Sequence, residues 1–192
     1  LFVNLPLTPL KLATDGLLLH GFLQHFARDL AGQAQLSAVP DGIGAVVMNW
    51  HIDDRKALPA LERADELGAF AKGLGPYSIH LTVGPDVDQP GDGRGMDLAA
   101  NPQAQAWVRR LAAEGHEIGS HGGWIHNWFA ANLDTMEREA AEAMIDRNSL
   151  LLTQFSGRPV REYSAPVGHH PAWMTGWLRQ REIRAFYFTG DT

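Results

Sequence analysis

From residue 45 onward, short apolar runs alternate with stretches whose apolar residues recur at helical spacing. Residues 45–50 form a short apolar run that predicts a strand. Leu58, Leu61, Ala64 and Leu67 then share one side of a predicted helix over 59–67, with Gly68 as its stop. Residues 77–83 alternate as a strand does. Asn101 before Pro102, with Trp107, Val108 and Leu111 on one face, predicts a capped helix that Gly115 ends. A strand over 116–121 follows. Asp134-Thr-Met-Glu137 has the pattern of a capping box and predicts a long helix to about residue 155, striped by Met136, Ala140, Ala143, Met144, Leu151 and Phe155 and ended by Gly157. Residues 160–165 predict a strand, Pro171 opens a helix to about residue 180, and 183–188 predict a last strand. Strand alternating with helix five times predicts an α/β fold with a parallel sheet.

The chain before this pattern is different. Residues 1–10 are apolar with Pro6 and Pro9, which predicts an extended or irregular segment. Thr14-Asp15-Gly16 then leads into a helical stripe of Leu17, Leu18, Phe22, Leu23, Phe26 and Leu30. His20 and His25 on that helix diverge and are expected to be surface or packing residues. Residues 32–44, with Pro40, Gly32, Gly42 and Gly44, predict a linker. The division expected is a helical appendage, or the tail of a preceding domain, over 1–40, and a catalytic domain over 41–192.

Composition narrows the chemistry. The 192 residues suffice for one sizeable core, and 45% hydrophobic with 20% charged residues is ordinary globular composition. A net charge of −6 without any basic block argues against nucleic acid or an anionic membrane surface as partner. No apolar run reaches the ~18 residues that span a bilayer. The chain has no cysteine, so a metal would take histidine and carboxylate ligands. Asp86, Asp88 and Asp92 lack the spacing of a calcium loop, and residues 84–95 are expected to be a solvated loop. The chain opens on Leu1 rather than methionine, which suggests a processed or excised piece.

The candidate chemistry centres on His116-Glu-Ile-Gly-Ser-His121-Gly-Gly-Trp-Ile-His126. Five residues separate His121 from His126. On a helix that spacing leaves the side chains roughly 140° apart, and on a strand it puts them on opposite faces. They converge only if the chain turns, and Gly122-Gly123 supplies a turn. Further polar groups fall just after other predicted strands: His51, Asp53 and Asp54, then Ser164, His169 and His170, then Asp191. In a β/α barrel these ends share the face where active sites assemble.

The apolar strand followed by Asp53-Asp54, then the His121/His126 segment, then Tyr163-Ser-Ala-Pro166-Val-Gly168, resembles in order and interval the first three motifs of the NodB-homology polysaccharide deacetylases, carbohydrate esterase family 4. The resemblance covers residues 45–192. It implies a distorted or incomplete parallel β/α barrel and a hydrolase that removes N-acetyl groups from a carbohydrate polymer. It implies Asp53 as general base, Asp54, His121 and His126 as ligands of a divalent metal, most often zinc, and the Val167 backbone N–H as oxyanion donor. Ser164, Pro166 and Trp124 are expected to line the substrate, and an extracytoplasmic or cell-envelope location is implied. The five-residue histidine spacing is similar to a branch that acts on poly-N-acetylglucosamine. Two departures stand out. Ser164 occupies the position where the family carries an arginine, for which Arg161 is the candidate substitute. The family's late histidine acid would lie beyond Thr192, so either the chain is part of a longer protein or His169 or His170 serves. Asp191 would match the start of the fourth motif.

The chemistry fits these residue types. Amide hydrolysis needs an activated water, a polarised carbonyl and a proton for the leaving amine, and a two-histidine, one-aspartate metal keeps positions open for the first two. Three classes remain: a carbohydrate N-deacetylase, a hydrolase of non-sugar amides on the same scaffold, and a binding module with a decayed site. Trp124, Trp128, Trp173 and Trp177 suit either sugar stacking or packing.

Overall fold

The computed structural model describes residues 17–32, 47–71 and 73–188. Expectations for residues 1–10, for 33–44 and for Asp191 lie outside the described residues. Internal contacts divide the chain into two compact units, 1–46 and 47–192. In the first, α1 (Leu17–Gln24) runs into a π-helical stretch, His25–Leu30, with Leu23 exposed on the former and Phe26 and Leu30 on the latter. His25 Nδ1 lies 2.9 Å from Asp29 Oδ2 on that surface.

The second unit is built on a five-stranded, wholly parallel sheet: β1 (Asn49–Ile52), β2 (Ser78–Leu81), β3 (Glu117–His121), β4 (Glu162–Ser164) and β5 (Ala185–Tyr187), paired in chain order. The sheet curls into an open half-barrel. Parallel pairing needs a crossover between strands, and the helices α2 (Leu58–Glu66), α3 (Pro102–Ala113), α5 (Arg138–Ser156) and α6 (Ala172–Gln180) supply it. A further helix, α4 (His126–Asn132), follows β3 directly and has no counterpart in the predicted pattern.

Strand alternation sorts the two faces. Trp50, Ile52, Ile79, Leu81, Ile118, Tyr163 and Phe186 belong to or pack against the core under the helices. The register pairs His51 with His80, His80 with Gly119, His121 with Ser164 and Ser164 with Tyr187, so these residues line the other, polar face. His80 is fully buried there, its ring over Gly119. A Cβ at Gly119 would sit 2.2 Å from His80 Cδ2, so the row closes only with glycine.

The helix ends follow local chemistry in two cases and depart from it in a third. The Asn101 side chain accepts from Ala104 N at 3.1 Å with Pro102 in the first turn, and Gly157 ends α5 at φ 72° with its N–H on Thr153 O at 3.0 Å. The expected capping box does not form. Helix α5 begins at Arg138 without a side-chain cap, and Asp134 takes His169 Nε2 at 2.8 Å instead. Its buried stripe, Ala141, Ile145, Asn148 and Leu152, is centred beside the expected one because a buried asparagine occupies its middle. Asn148 Oδ1 accepts from Val83 N at 2.8 Å, and Nδ2 donates to Leu81 O at 2.9 Å and Ser120 Oγ at 2.8 Å, tying α5 to the ends of β2 and β3.

Candidate metal centre

Three elements meet at the carboxyl ends of the strands. Asp53 follows β1, His121 is the last residue of β3, and His126 opens α4. Gly122, at φ 66°, turns the chain between the histidines. A Cβ there would lie 2.2 Å from Pro166 Cγ, and one at Gly123 would lie 2.4 Å from Phe129, so both must be glycine for the turn to pack. Asp53 Oδ1 then stands 3.3 Å from His121 Nε2 and 3.4 Å from His126 Nε2, and the three form the metal-capable cluster among the described residues. Donors at 2.0–2.2 Å from a tetrahedral ion are about 3.3–3.6 Å apart, so these separations suit a divalent metal.

The hydrogen bonds behind the imidazoles aim them. His121 Nδ1 lies 3.2 Å from the Ser164 carbonyl and 2.7 Å from Ser164 Oγ, and His126 Nδ1 lies 2.7 Å from Asn127 Oδ1. A carbonyl oxygen only accepts, so each Nδ1 carries its proton and each Nε2 lone pair faces Asp53. His126 Nε2 and Asp53 Oδ1 are both buried without an aligned hydrogen-bond partner, which a bound cation would satisfy. Burial, with the charge of His121 adding to it, pushes the His126 pKa down against the pull of Asp53. His51, whose ring stacks on His121 at 4.1 Å, is lowered to about 4, chiefly by burial and then by His121 and His80. The imidazole of His121 beside it, with further help from His126 and His51, holds the Asp53 carboxyl below the usual range against the cost of burial. A neutral His126 beside an ionised carboxylate is the protonation state that metal binding needs.

Other expected residues fall as follows. Asp54, expected as a ligand, turns away in extended conformation and accepts from Lys56 N at 2.7 Å, capping the 3₁₀ turn Arg55–Ala57. Ser164 backs His121 rather than lining a surface, and it is fully buried. Pro166 packs on the Gly122 turn. Val167 holds φ 48°, a strained conformation for a β-branched residue, and its N–H takes no acceptor among the described residues. The Trp124 ring is covered by the Arg147 guanidinium at 3.9 Å, and Trp173 and Trp177 carry Arg138 and Arg181 in the same way. Arg161 pairs with Glu182. His170 Nε2 bonds Thr175 Oγ1 at 2.8 Å, and, with Asp134 on His169, both candidate acids are engaged elsewhere.

The sequence reading passed over the layer beneath the rim. His80 Nε2 lies 3.0 Å from Glu162 Oε2, which also meets Tyr187 OH at 3.4 Å, and Tyr187 OH is 3.3 Å from Ser78 Oγ. The signal was present as parity: Ser78, His80 and Thr82 are the polar positions of their strand, as Asn49, His51 and Asp53 are of theirs.

The segment holding both histidines, Ser164 and Val167 lies inside residues 87–186, which match the family model described as polysaccharide deacetylase and make up just over half of the chain. The chain belongs to the polysaccharide deacetylase family. The match begins after Asp53, so the family model does not itself cover the carboxylate end of the cluster. No curated protein matches the chain. Among solved structures, the Bc1960 peptidoglycan N-acetylglucosamine deacetylase is similar at TM-score 0.51 and 17% identity, over 73% of this chain and 55% of its own. Peptidoglycan deacetylase PdaC from Bacillus subtilis gives 0.50 and 16%, over 78% and 60%. IcaB from Ammonifex degensii gives 0.51 and 15%, over 83% and 64%. At such identities the likeness establishes the deacetylase fold. The chain spans between 55% and 64% of the length of these relatives.

Proposed function

We propose that the protein is a metal-dependent N-deacetylase of an N-acetylglucosamine-type carbohydrate polymer, with zinc held by Asp53, His121 and His126. The observation that carries this reading is the pair of Nε2 lone pairs fixed on one carboxylate oxygen at 3.3 and 3.4 Å. The substrate class follows from family membership and from similar proteins described as peptidoglycan deacetylases. Those names also favour an extracytoplasmic site of action. No helix among the described residues is long and apolar enough to cross a membrane.

A divalent ion held there supplies Lewis acidity to an acetamide carbonyl and lowers the pKa of a water. The protein's own contributions are distinct. Ser164 and Asn127 hold the two imidazoles in the tautomer that points Nε2 inward. Asp54, the remaining carboxylate of the pair, whose charge reaches His126, is the base in this reading, and to take the water's proton its carboxylate has to swing from the Lys56 N–H toward the cluster. The unpaired Val167 N–H donates to the oxygen on which negative charge develops. This division exchanges the roles that the motif resemblance implies for Asp53 and Asp54.

The test is metal content and acetate release from acetylated glucosamine oligomers for Asp53→Asn and Asp54→Asn. Asp53→Asn should lose the metal. Asp54→Asn should keep it while losing on the order of 10²–10⁴ in rate. Metal loss confined to Asp54→Asn would restore the order that the motif implies. Metal binding without acetate release from any acetylated amine would refute the deacetylase reading.

A further inference from the structure

The loop after β2, residues 84–95, is not a passive solvated segment. Asp86 accepts from Gly91 N and Gly93 N, both at 2.9 Å. Asp92 accepts from Val87 N at 3.1 Å, Asp88 N at 2.7 Å, Gln89 N at 3.1 Å and Arg94 N at 2.9 Å. Two carboxylates thus satisfy the backbone of the loop from within, and a loop so determined presents its remaining side chains in fixed positions. It is also pressed onto the segment that carries the metal-facing histidines. A Cβ at Gly84 would meet the Trp124 carbonyl oxygen at 1.8 Å, and Val87 O accepts from Asn127 N at 2.8 Å and Trp128 N at 3.1 Å at the start of α4.

The third aspartate is used differently. Asp88 Oδ1 accepts from Asn127 Nδ2 at 2.6 Å, and Arg94 pairs with its other oxygen. The same Asn127 amide turns its Oδ1 to His126 Nδ1 at 2.7 Å. The order is carboxylate, amide, imidazole, with Nε2 of that imidazole buried and unpartnered at the far end. We propose that Asp88 and Asn127 are positioning residues that act through His126: the amide fixes the ring's tautomer and direction, and the carboxylate fixes the amide. The inference rests on the metal-centre reading above and extends it to two residues, both exposed, that touch neither ion nor substrate. Partners of this kind, one bond removed from a ligand, orient it and raise its basicity, and their loss typically weakens metal binding 10–100-fold. An asparagine whose amide is held by Asp88 cannot flip to offer its NH₂ to the ring, which would force the wrong tautomer.

The experiment measures zinc affinity of the full 192-residue chain by chelator competition, together with the visible absorption of the cobalt(II)-loaded protein. Asn127→Leu should weaken zinc binding 10–100-fold and alter the cobalt spectrum, while the melting temperature of the metal-free protein stays within a few degrees of the parent. The exchange Asp88→Asn with Asn127→Asp, which keeps an acceptor on Nδ1–H and a donor facing it from position 88, should recover most of the affinity. Asp88→Asn should weaken binding in the parent and add little on top of Asn127→Leu, since the two act in series. Parent-like affinity and spectrum in Asn127→Leu would overturn the relay while leaving the metal centre standing. Failure of the unsubstituted chain to bind zinc or cobalt would overturn the centre and the relay together. Weakened binding in Asn127→Leu that the Asp88→Asn, Asn127→Asp exchange does not recover would also overturn it, since side-chain bulk rather than an acceptor on Nδ1 would then be the cause.

Discussion

Asn148 ties the strand ends that carry the candidate centre to helix α5. It is fully buried in the middle of α5, and its amide makes three hydrogen bonds: from Val83 N, and to Leu81 O and Ser120 Oγ. Ser120 Oγ in turn donates to Gly122 O at 3.2 Å, inside the histidine turn. Asn148→Leu keeps the branched heavy-atom skeleton and removes every polar atom. The lost bonds are worth about 1 kcal/mol each in net terms, and an orphaned buried N–H or C=O costs about 1–3 kcal/mol. The Ser120 hydroxyl can rotate, but the Val83 N–H and the Leu81 carbonyl cannot. The expected loss is therefore about 4 kcal/mol, a fall of about 8–16 °C in melting temperature for a chain of this size. Urea unfolding followed by circular dichroism, with the slope of the transition unchanged, measures it. Leu150→Ala, at an exposed position on the same helix, serves as the control and should shift stability by less than about 1 kcal/mol. A loss below about 1 kcal/mol in Asn148→Leu would refute the view that this amide ties the helix to the strand ends.

Three further outcomes are expected. Gly119→Ala should destabilise by about 1–3 kcal/mol in the same urea assay, because its Cβ would lie 2.2 Å from the buried His80 ring. Saturating zinc at about 100 times its dissociation constant should raise stability by about 2.7 kcal/mol in thermal unfolding, and EDTA or Asp53→Asn should abolish the rise. In EDTA, acid should destabilise the protein. Burial holds His80 below its unfolded value of 6.5 despite Glu162, so the unfolded chain binds more protons and stability falls as pH drops below 6.5. Glu162 adds to the same trend below its unfolded 4.5. Burial alone would raise it, but His80, Ser78 and Tyr187 outweigh that and depress its folded pKa. Equal urea midpoints at pH 7.5 and 5 would contradict this sign.

The elements that local chemistry determines could be read in advance, and those that depend on the tertiary neighbourhood could not. Asn101-Pro102 and Gly157 act through the backbone of their own helix, so α3 and the end of α5 were legible. The Asp134-to-Glu137 pattern is just as local, yet His169 captures the Asp134 carboxylate and the cap does not form. Asn148 interrupts an apolar stripe and so looks like a surface residue until the strand ends it serves are in place. Helix α4 is short, and its register is set by Val87 O from a loop far away in sequence. At the candidate centre, the two histidines and their glycine turn were legible because only a turn could reconcile their spacing. Ser164, expected at the substrate, instead backs His121, a partnership that exists only through the pairing of β4 with β3.

The difference between Asp53 and Asp54 has a geometric root. Side chains alternate along an extended chain, so Asn49, His51 and Asp53 share a face, and Ile52 and Asp54 share the other. His51 pairs with His80 across β1 and β2, and His80 with Gly119, whose face-mate two residues on is His121. Parity alone therefore carries Asp53 to the face where His121 ends its strand. Asp54 would join that face only if the chain rotated by one residue after Ile52, but its extended conformation and its bond to Lys56 N hold it as the cap of the next turn. A metal that recruited Asp54 in place of Asp53 would have to break that cap, at a cost of about 0.5–2 kcal/mol. The metal retention of Asp53→Asn against Asp54→Asn thus also tests whether the strand's alternation persists through the loop that follows it.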